Sequence, residues 1–139
     1  MKNKQVAALP FRIEDMELSI LLITTRGKRR WSVPKGWPIA RKRPHRTAAV
    51  EAYEEAGLRG KISRRAVGQF KHRKRKGKRK ITCEVQLFPL EVRKQHTRWP
   101  ERGQRKVIWL PAAKAARRIR QAKLRELIES FARKQTKRH

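Results

Sequence analysis

Acidic residues are scarce in this chain. Its 139 residues hold 11 Asp and Glu against 40 Lys and Arg, giving a formal net charge of +29 and an isoelectric point near 11.8. Self-repulsion of that size opposes a compact state unless anions or salt screen it, so a polyanionic partner is implied. Nucleic acid, inositol polyphosphates, long nucleoside polyphosphates and anionic surfaces all meet that demand. Charge therefore selects a class of partner and not a ligand, and a plain solubility surface is the competing reading.

Cysteine is nearly absent as well. Cys83 is the single thiol, which rules out a disulfide within the chain and makes a reducing cytoplasm the natural compartment. Long apolar runs are missing: LSILLI (residues 18 to 23) is too short to span a bilayer and no signal-peptide pattern precedes it, so the expectation is a soluble protein with no membrane span. His45, His72, His96 and His139 are scattered without metal-ligand spacing, and no zinc site is assigned.

What the chain does have is periodic apolar blocks, enough for one core. Residues 5 to 11 and 17 to 24 read as strands around a polar turn, RIEDM; WSVP (31 to 34) reads as a third short strand. A helix is expected from Pro44 to Ala56, with proline in its first turn, Ala48, Ala49 and Ala52 as a small packing face, and Gly57 as its C-terminal cap. Residues 62 to 70 and 81 to 92 read as strands joined by a basic hairpin, KHRKRKGKRK, and VIWL (107 to 110) as another. Two helices breaking near Gln121 should close the chain. Without internal repeats, this order predicts a single domain over residues 1 to 133, an α+β or α/β sandwich with a mixed sheet, and a frayed basic tail at 134 to 139.

Against this basic background, Glu51, Glu54 and Glu55 fall within five positions of the predicted helix. Spacings of three and four put them on one face, where each like-charge pair opposes the helix by roughly 0.2–0.5 kcal/mol. Cations must compensate them, either neighbouring arginines on a solvated face or a divalent metal.

The setting of these glutamates favours the metal. From Gly36 to Leu58 the sequence resembles the box of the Nudix hydrolase family, G-x5-E-x7-R-E-U-x-E-E-x-G-U, with Glu51, Ala52, Glu54, Glu55, Gly57 and Leu58 in register behind the strand WSVP and the turn PKG. Two positions depart: Lys42 stands for the first box Glu and Val50 for the box Arg. AAVEAYEEAGLRG, the strand VGQF, the basic hairpin and WPERGQRKVIWLPAAKAA also look like the branch that hydrolyses diphosphoinositol polyphosphates and diadenosine polyphosphates. The resemblance implies a Nudix-type α/β/α sandwich with a central mixed β-sheet and Mg²⁺-dependent, or Mn²⁺-dependent, cleavage of a phosphoanhydride.

By that resemblance Glu51 and Glu55 are metal ligands, a backbone carbonyl at Lys35 or Gly36 completes the site, and Glu54 is the general base. Glu51 and Glu54 are open to exchanging roles. Glu101 in WPERG is a candidate extra ligand, or a loop acid paired with Arg102 and Arg105. The missing box arginine calls for another basic group, such as Arg46, to orient the carboxylates, and Lys42 implies fewer or more weakly held ions.

From Arg59 to Lys80 there are 12 Lys and Arg and no acid. Such a run is usually a solvated face. On the resembled fold its tip lies beside the catalytic helix, with Arg75 and Lys76 gripping outer phosphates of a polyphosphorylated small molecule. Thr24, Thr25 and Arg26 match a second phosphate-contacting segment and Lys4 a third. Trp31 and Trp109 read as core, whereas Trp37 and Trp99 are equally suited to flanking a nucleotide or covering the site. The competing function is a catalytically weak Nudix scaffold serving as an RNA- or ribosome-binding protein, which the basic surface permits and no RNA-recognition aromatic motif supports.

Overall fold

The computed structural model describes residues 3–138. Its strands are β1 (Lys4–Glu14), β2 (Glu17–Thr24), β3 (Trp31–Ser32), β4 (Lys35–Gly36), β5 (Leu58–Ile62), β6 (Gly68–Lys76), β7 (Arg79–Gln95) and β8 (Val107–Pro111). The helices are α1 (Pro44–Ala56), α2 (Ala112–Arg118) and α3 (Ala122–Arg138). One mixed sheet runs through the middle in the order β3-β2-β1-β7-β5, with β1 and β7 parallel and the other pairings antiparallel.

Alternation along each strand builds two layers of core. Ala7 and Leu9 of β1, Ile20 and Leu22 of β2, and Cys83, Val85 and Leu87 of β7 face α2 and α3. Val6 and Ala8, Leu21 and Ile23, and Phe88 and Leu90 face α1. Helices therefore cover both faces, giving the expected α/β/α sandwich. Each buried Leu or Ile contributes about 1.5–3 kcal/mol.

The sheet is opened by design at the site. β1 and β2 pair directly only between Phe11–Glu14 and Glu17–Ile20, at the hairpin end; further along, β3 attaches to β2 and β4 to β1. The strand expected at 31 to 34 is shorter, Trp31–Ser32 only, and Lys35–Gly36, read as a turn, forms a separate short strand, with the Pro34 carbonyl between them accepting from Ala8 N at 3.0 Å. This brings Gly36 opposite Val6, beneath α1.

Helix α1 has the expected bounds. Ala48, Ala52 and Ala56 are fully buried against the sheet, while Ala49 is half-buried, so the small-residue face is turned from the one expected. Having no side chain beyond Cβ there, the helix lies close to the strands. Gly57 ends it in the left-handed conformation, φ 72°, with its N–H donating to Ala52 O and Tyr53 O.

Three other expectations are revised. The turn of the first hairpin is just Asp15 and Met16, both at positive φ (51° and 65°), and β1 extends through the supposed turn to Glu14. The basic run is not a loop: Lys71 to Lys76 pairs in register with Arg79 to Glu84, leaving Gly77 and Lys78 as the tip. Its side chains are basic on both faces, so no apolar alternation marks it as a strand. Leu58–Ile62 forms β5 where no strand was expected, and strand β6 begins at Gly68 instead of 62. At the C-terminus the break falls as read, with Gln121 Oε1 accepting from Leu124 N at 2.9 Å as the start of α3. Helical backbone then continues through 134 to 138, part of the segment read as a frayed tail; His139 lies outside the described residues. Among the described residues no helix is long and apolar enough to cross a membrane.

Candidate active site

Two elements carry the acids. Glu51, Glu54 and Glu55 come from α1; Glu101 comes from the loop between β7 and β8. That loop is docked onto the end of α1 by His96 N donating to Gly57 O (2.8 Å) and Glu101 N donating to Glu54 O (3.0 Å). Trp99 completes the dock. Its indole lies over Gly57, where an added Cβ would come within 2.6 Å of the ring.

The Glu51 and Glu55 carboxyls are hydrogen-bonded to each other. Glu55 is 5% exposed. Burial first, and then the bond to Glu51, push its pKa up to about 8, against the pull of Arg105. Glu51 is raised too, mainly by burial and by the charges of Glu54 and Glu101. Two carboxyls in this arrangement share a proton unless a cation replaces it. Gly36 makes room for the pair, since a Cβ there would meet the Glu51 carboxyl at 2.4 Å.

Arg105 is the cation built into the site. Its side chain, 10% exposed, places Nε 3.0 Å from Glu101 Oε1 and Nη2 3.7 Å from Glu55 Oε2, and Nη1 donates to Thr24 O at 3.2 Å. Arg46, expected to stand in for the box arginine, is exposed on α1; the guanidinium that reaches Glu55 comes from Arg105 in the β7–β8 loop. The sequence holds Arg105 in plain view beside Glu101, yet only the docked loop reveals that it reaches the helix.

Among the described residues, no three His, Cys, Asp or Glu side chains converge as a ready metal cage. The donors nonetheless suit a hard divalent ion: oxygen ligands, two of them already in contact, with Glu54 and Glu101 adding negative charge beside Glu51. Lys35 N donates to Glu55 Oε1 at 3.4 Å, so β4 sits directly against the pair. The Lys35 ammonium is lowered to about 8 by burial, offset by Glu55 and deepened by Arg105 and Lys74. Two surface hollows of about 290 and 310 Å³ lie elsewhere, lined by no residue of α1.

The phosphate-binding candidates separate. Thr24 is 3% exposed and its hydroxyl accepts from Lys106 N at 2.9 Å, tying β2 to the segment that leads into β8. Thr25 Oγ1 accepts from Arg30 N at 3.0 Å, closing the β2–β3 loop. Arg26 is exposed and donates to Gln104 Oε1 at 3.2 Å, next to the Glu101 loop. Lys4 stands exposed at the start of β1, on the same strand as Val6, the partner of Gly36. Lys76 reaches back to Trp37, with Nζ 5.8 Å from the ring centroid. Arg75 alternates to the opposite face of β6, and Lys74, not singled out in the sequence, joins Lys76 over Trp37 at 5.3 Å.

No family model matches the chain. Its fold, however, is the Nudix fold: the NUDIX domain of Shewanella oneidensis NrtR, solved with ADP ribose, superposes with a TM-score of 0.68 at 15% identity over 94% of this chain and 88% of that one. An Ap4A hydrolase of C. elegans, in a binary complex, gives 0.69 at 16% identity over 94% and 95%. In sequence, the chain is 38% identical over 74 residues to diphosphoinositol polyphosphate phosphohydrolase 2 of Rattus norvegicus. That match takes in 53% of this chain and 41% of the relative, so the chain corresponds to less than half of that protein's length.

Proposed function

We propose that the chain is a divalent-metal-dependent hydrolase of phosphoanhydride bonds in polyanionic substrates, of the kind found in diphosphoinositol polyphosphates, dinucleoside polyphosphates and nucleoside di- and triphosphates. The observation that carries this reading is the Glu51–Glu55 carboxyl pair, with half-buried Glu51 against Gly36 and buried Glu55 held by Arg105. A scaffold serving only to bind polyanions has no use for a buried Glu55 in contact with a second, half-buried carboxyl inside a +29 protein.

Glu51 and Glu55, with a backbone carbonyl at Lys35 or Gly36, would hold Mg²⁺ or Mn²⁺. When bound, the ion supplies charge neutralisation on the phosphate chain and a more acidic water. Glu54 is the base that takes the proton of the attacking water, with Glu51 as the alternative in that role. Arg105 orients Glu55 and keeps Glu101 turned toward the helix. Lys4, Arg26 and Lys76 would attract the anionic chain, and Arg75 would add to the long-range field. The buried thiol of Cys83 suits a cytoplasmic, reducing compartment.

The test is a phosphoanhydride panel with Mg²⁺ or Mn²⁺ and free phosphate as readout. Glu54→Gln and Glu55→Gln should each abolish release while polyanion binding stays equal or tightens. Wild-type protein that cleaves nothing, yet binds RNA with a steep salt dependence, would establish the RNA- or ribosome-binding scaffold instead.

A further inference from the structure

Of the four tryptophans, three have structural duties. Trp99 closes over Gly57. Trp109 stacks under Arg12 at 4.0 Å and donates from Nε1 to Gln95 Oε1 at 3.0 Å. Trp31 packs against the core beneath Arg118. Trp37 is different. It is 38% exposed, one residue beyond the glycine on which Glu51 rests, and its ring is approached by Lys74 Nζ at 5.3 Å and Lys76 Nζ at 5.8 Å.

These lysines have no acidic partner. Among the described residues no carboxylate lies within ion-pair distance of either. Lys35 and His72 stand close enough to interact with Lys74, and burial together with Lys35 and Lys74 holds His72 neutral, down to about 4. Positive charge is thus concentrated around one aromatic face, and among the described residues neither Lys74 nor Lys76 has a carboxylate in ion-pair contact. Cation–π contacts at an exposed ring are weak, so phosphate oxygens would readily draw the ammoniums away. The indole face would then be free.

We propose that Trp37, Lys74 and Lys76 form a nucleobase-and-phosphate subsite, the indole taking a planar base and the two ammoniums the phosphates that join it to the scissile anhydride. This rests on the hydrolase reading above and narrows it to nucleoside or dinucleoside polyphosphates. A saturated inositol ring has no π face to lay on the indole, whereas a purine covers it. The site asks for both chemistries at once: a flat apolar surface and at least two adjacent anionic groups.

Calorimetric binding in EDTA tests the subsite without turnover, using diadenosine tetraphosphate, inorganic tripolyphosphate and a diphosphoinositol polyphosphate on wild type, Trp37→Ala, Trp37→Phe and Lys74→Gln/Lys76→Gln. Trp37→Ala should weaken the dinucleotide about ten-fold, the size of one base–aromatic stack, and Trp37→Phe should recover most of it. Tripolyphosphate and the inositol ligand should move less than about two-fold with Trp37→Ala, and all three ligands should weaken in the double lysine variant. Equal loss for tripolyphosphate or the inositol ligand, or no loss for the dinucleotide, would overturn the proposal. Its fate is separable from the hydrolase reading. Trp37-dependent dinucleotide binding in a protein that releases no phosphate leaves the subsite standing and removes the catalysis; turnover with binding indifferent to Trp37 does the reverse.

Discussion

Arg105 Nη2 lies 3.7 Å from Glu55 Oε2, while its Nε is bonded to Glu101 Oε1 at 3.0 Å. A guanidinium from the strand-side loop thus clamps a helix carboxylate, in a chain whose helix has Val50 where the box pattern has arginine. Arg105→Met should lower kcat by roughly 10–100-fold, the usual effect of losing a group that orients a metal ligand. Adding Val50→Arg to that variant should restore part of the loss, since a guanidinium would return one residue before Glu51. Steady-state phosphate release across the three proteins measures this, and equal activity in all three would remove Arg105 from the machinery.

Gly36→Ala is a test of space. Its backbone is not in the left-handed region, so alanine is tolerated locally, but the new methyl would stand 2.4 Å from the Glu51 carboxyl and displace that flexible tip. Activity should fall about 100-fold for a misplacement on this scale. Thermal unfolding should stay nearly where it is, which separates a moved carboxylate from a damaged fold.

Gly57→Ala has the opposite profile. Its φ of 72° and the Trp99 ring at 2.6 Å both oppose a Cβ. A loss of about 1–3 kcal/mol in stability is expected, from strain at a left-handed residue plus the disturbed contact, read by denaturant midpoint.

His72 gives a pH signature. Its folded pKa is lowered to about 4 from 6.5, by burial and then by Lys35 and Lys74. Between those values the unfolded chain binds more protons than the folded one, so the contribution is full above pH 6.5 and is lost as pH falls toward 4. Glu55, raised to about 8, works the other way, weakening the fold as pH rises from 4.5 to 8. Subtracting the stability curve of His72→Gln from that of the wild type isolates the first effect; a flat difference between pH 4 and 6.5 would refute it.

Much of this was legible in the chain. The bounds of α1, its proline start and glycine stop, and the register of Glu51, Glu54 and Glu55 follow from local chemistry and a dense motif. What escaped was whatever depends on distant pairing. The extension of β6 from Lys71 to Lys76 is invisible because its residues are basic on both faces and only pairing with β7 makes them a strand. The Thr24 hydroxyl accepts from Lys106 N, more than eighty positions away in sequence, a tie that nothing local announces. Arg105 was noted as a neighbour of Glu101; nothing local says that the loop folds back on Gly57 and carries both residues to the helix.

The tryptophan–glycine joint between that loop and α1 has a practical corollary. Helix and loop form one mechanical unit, so grafting the loop from another protein of this fold would import its acid and its arginine correctly only if the donor's joint were transplanted with it. Engineering of specificity in this scaffold should therefore begin at the rim around Trp37 and leave residues 96 to 105 in place.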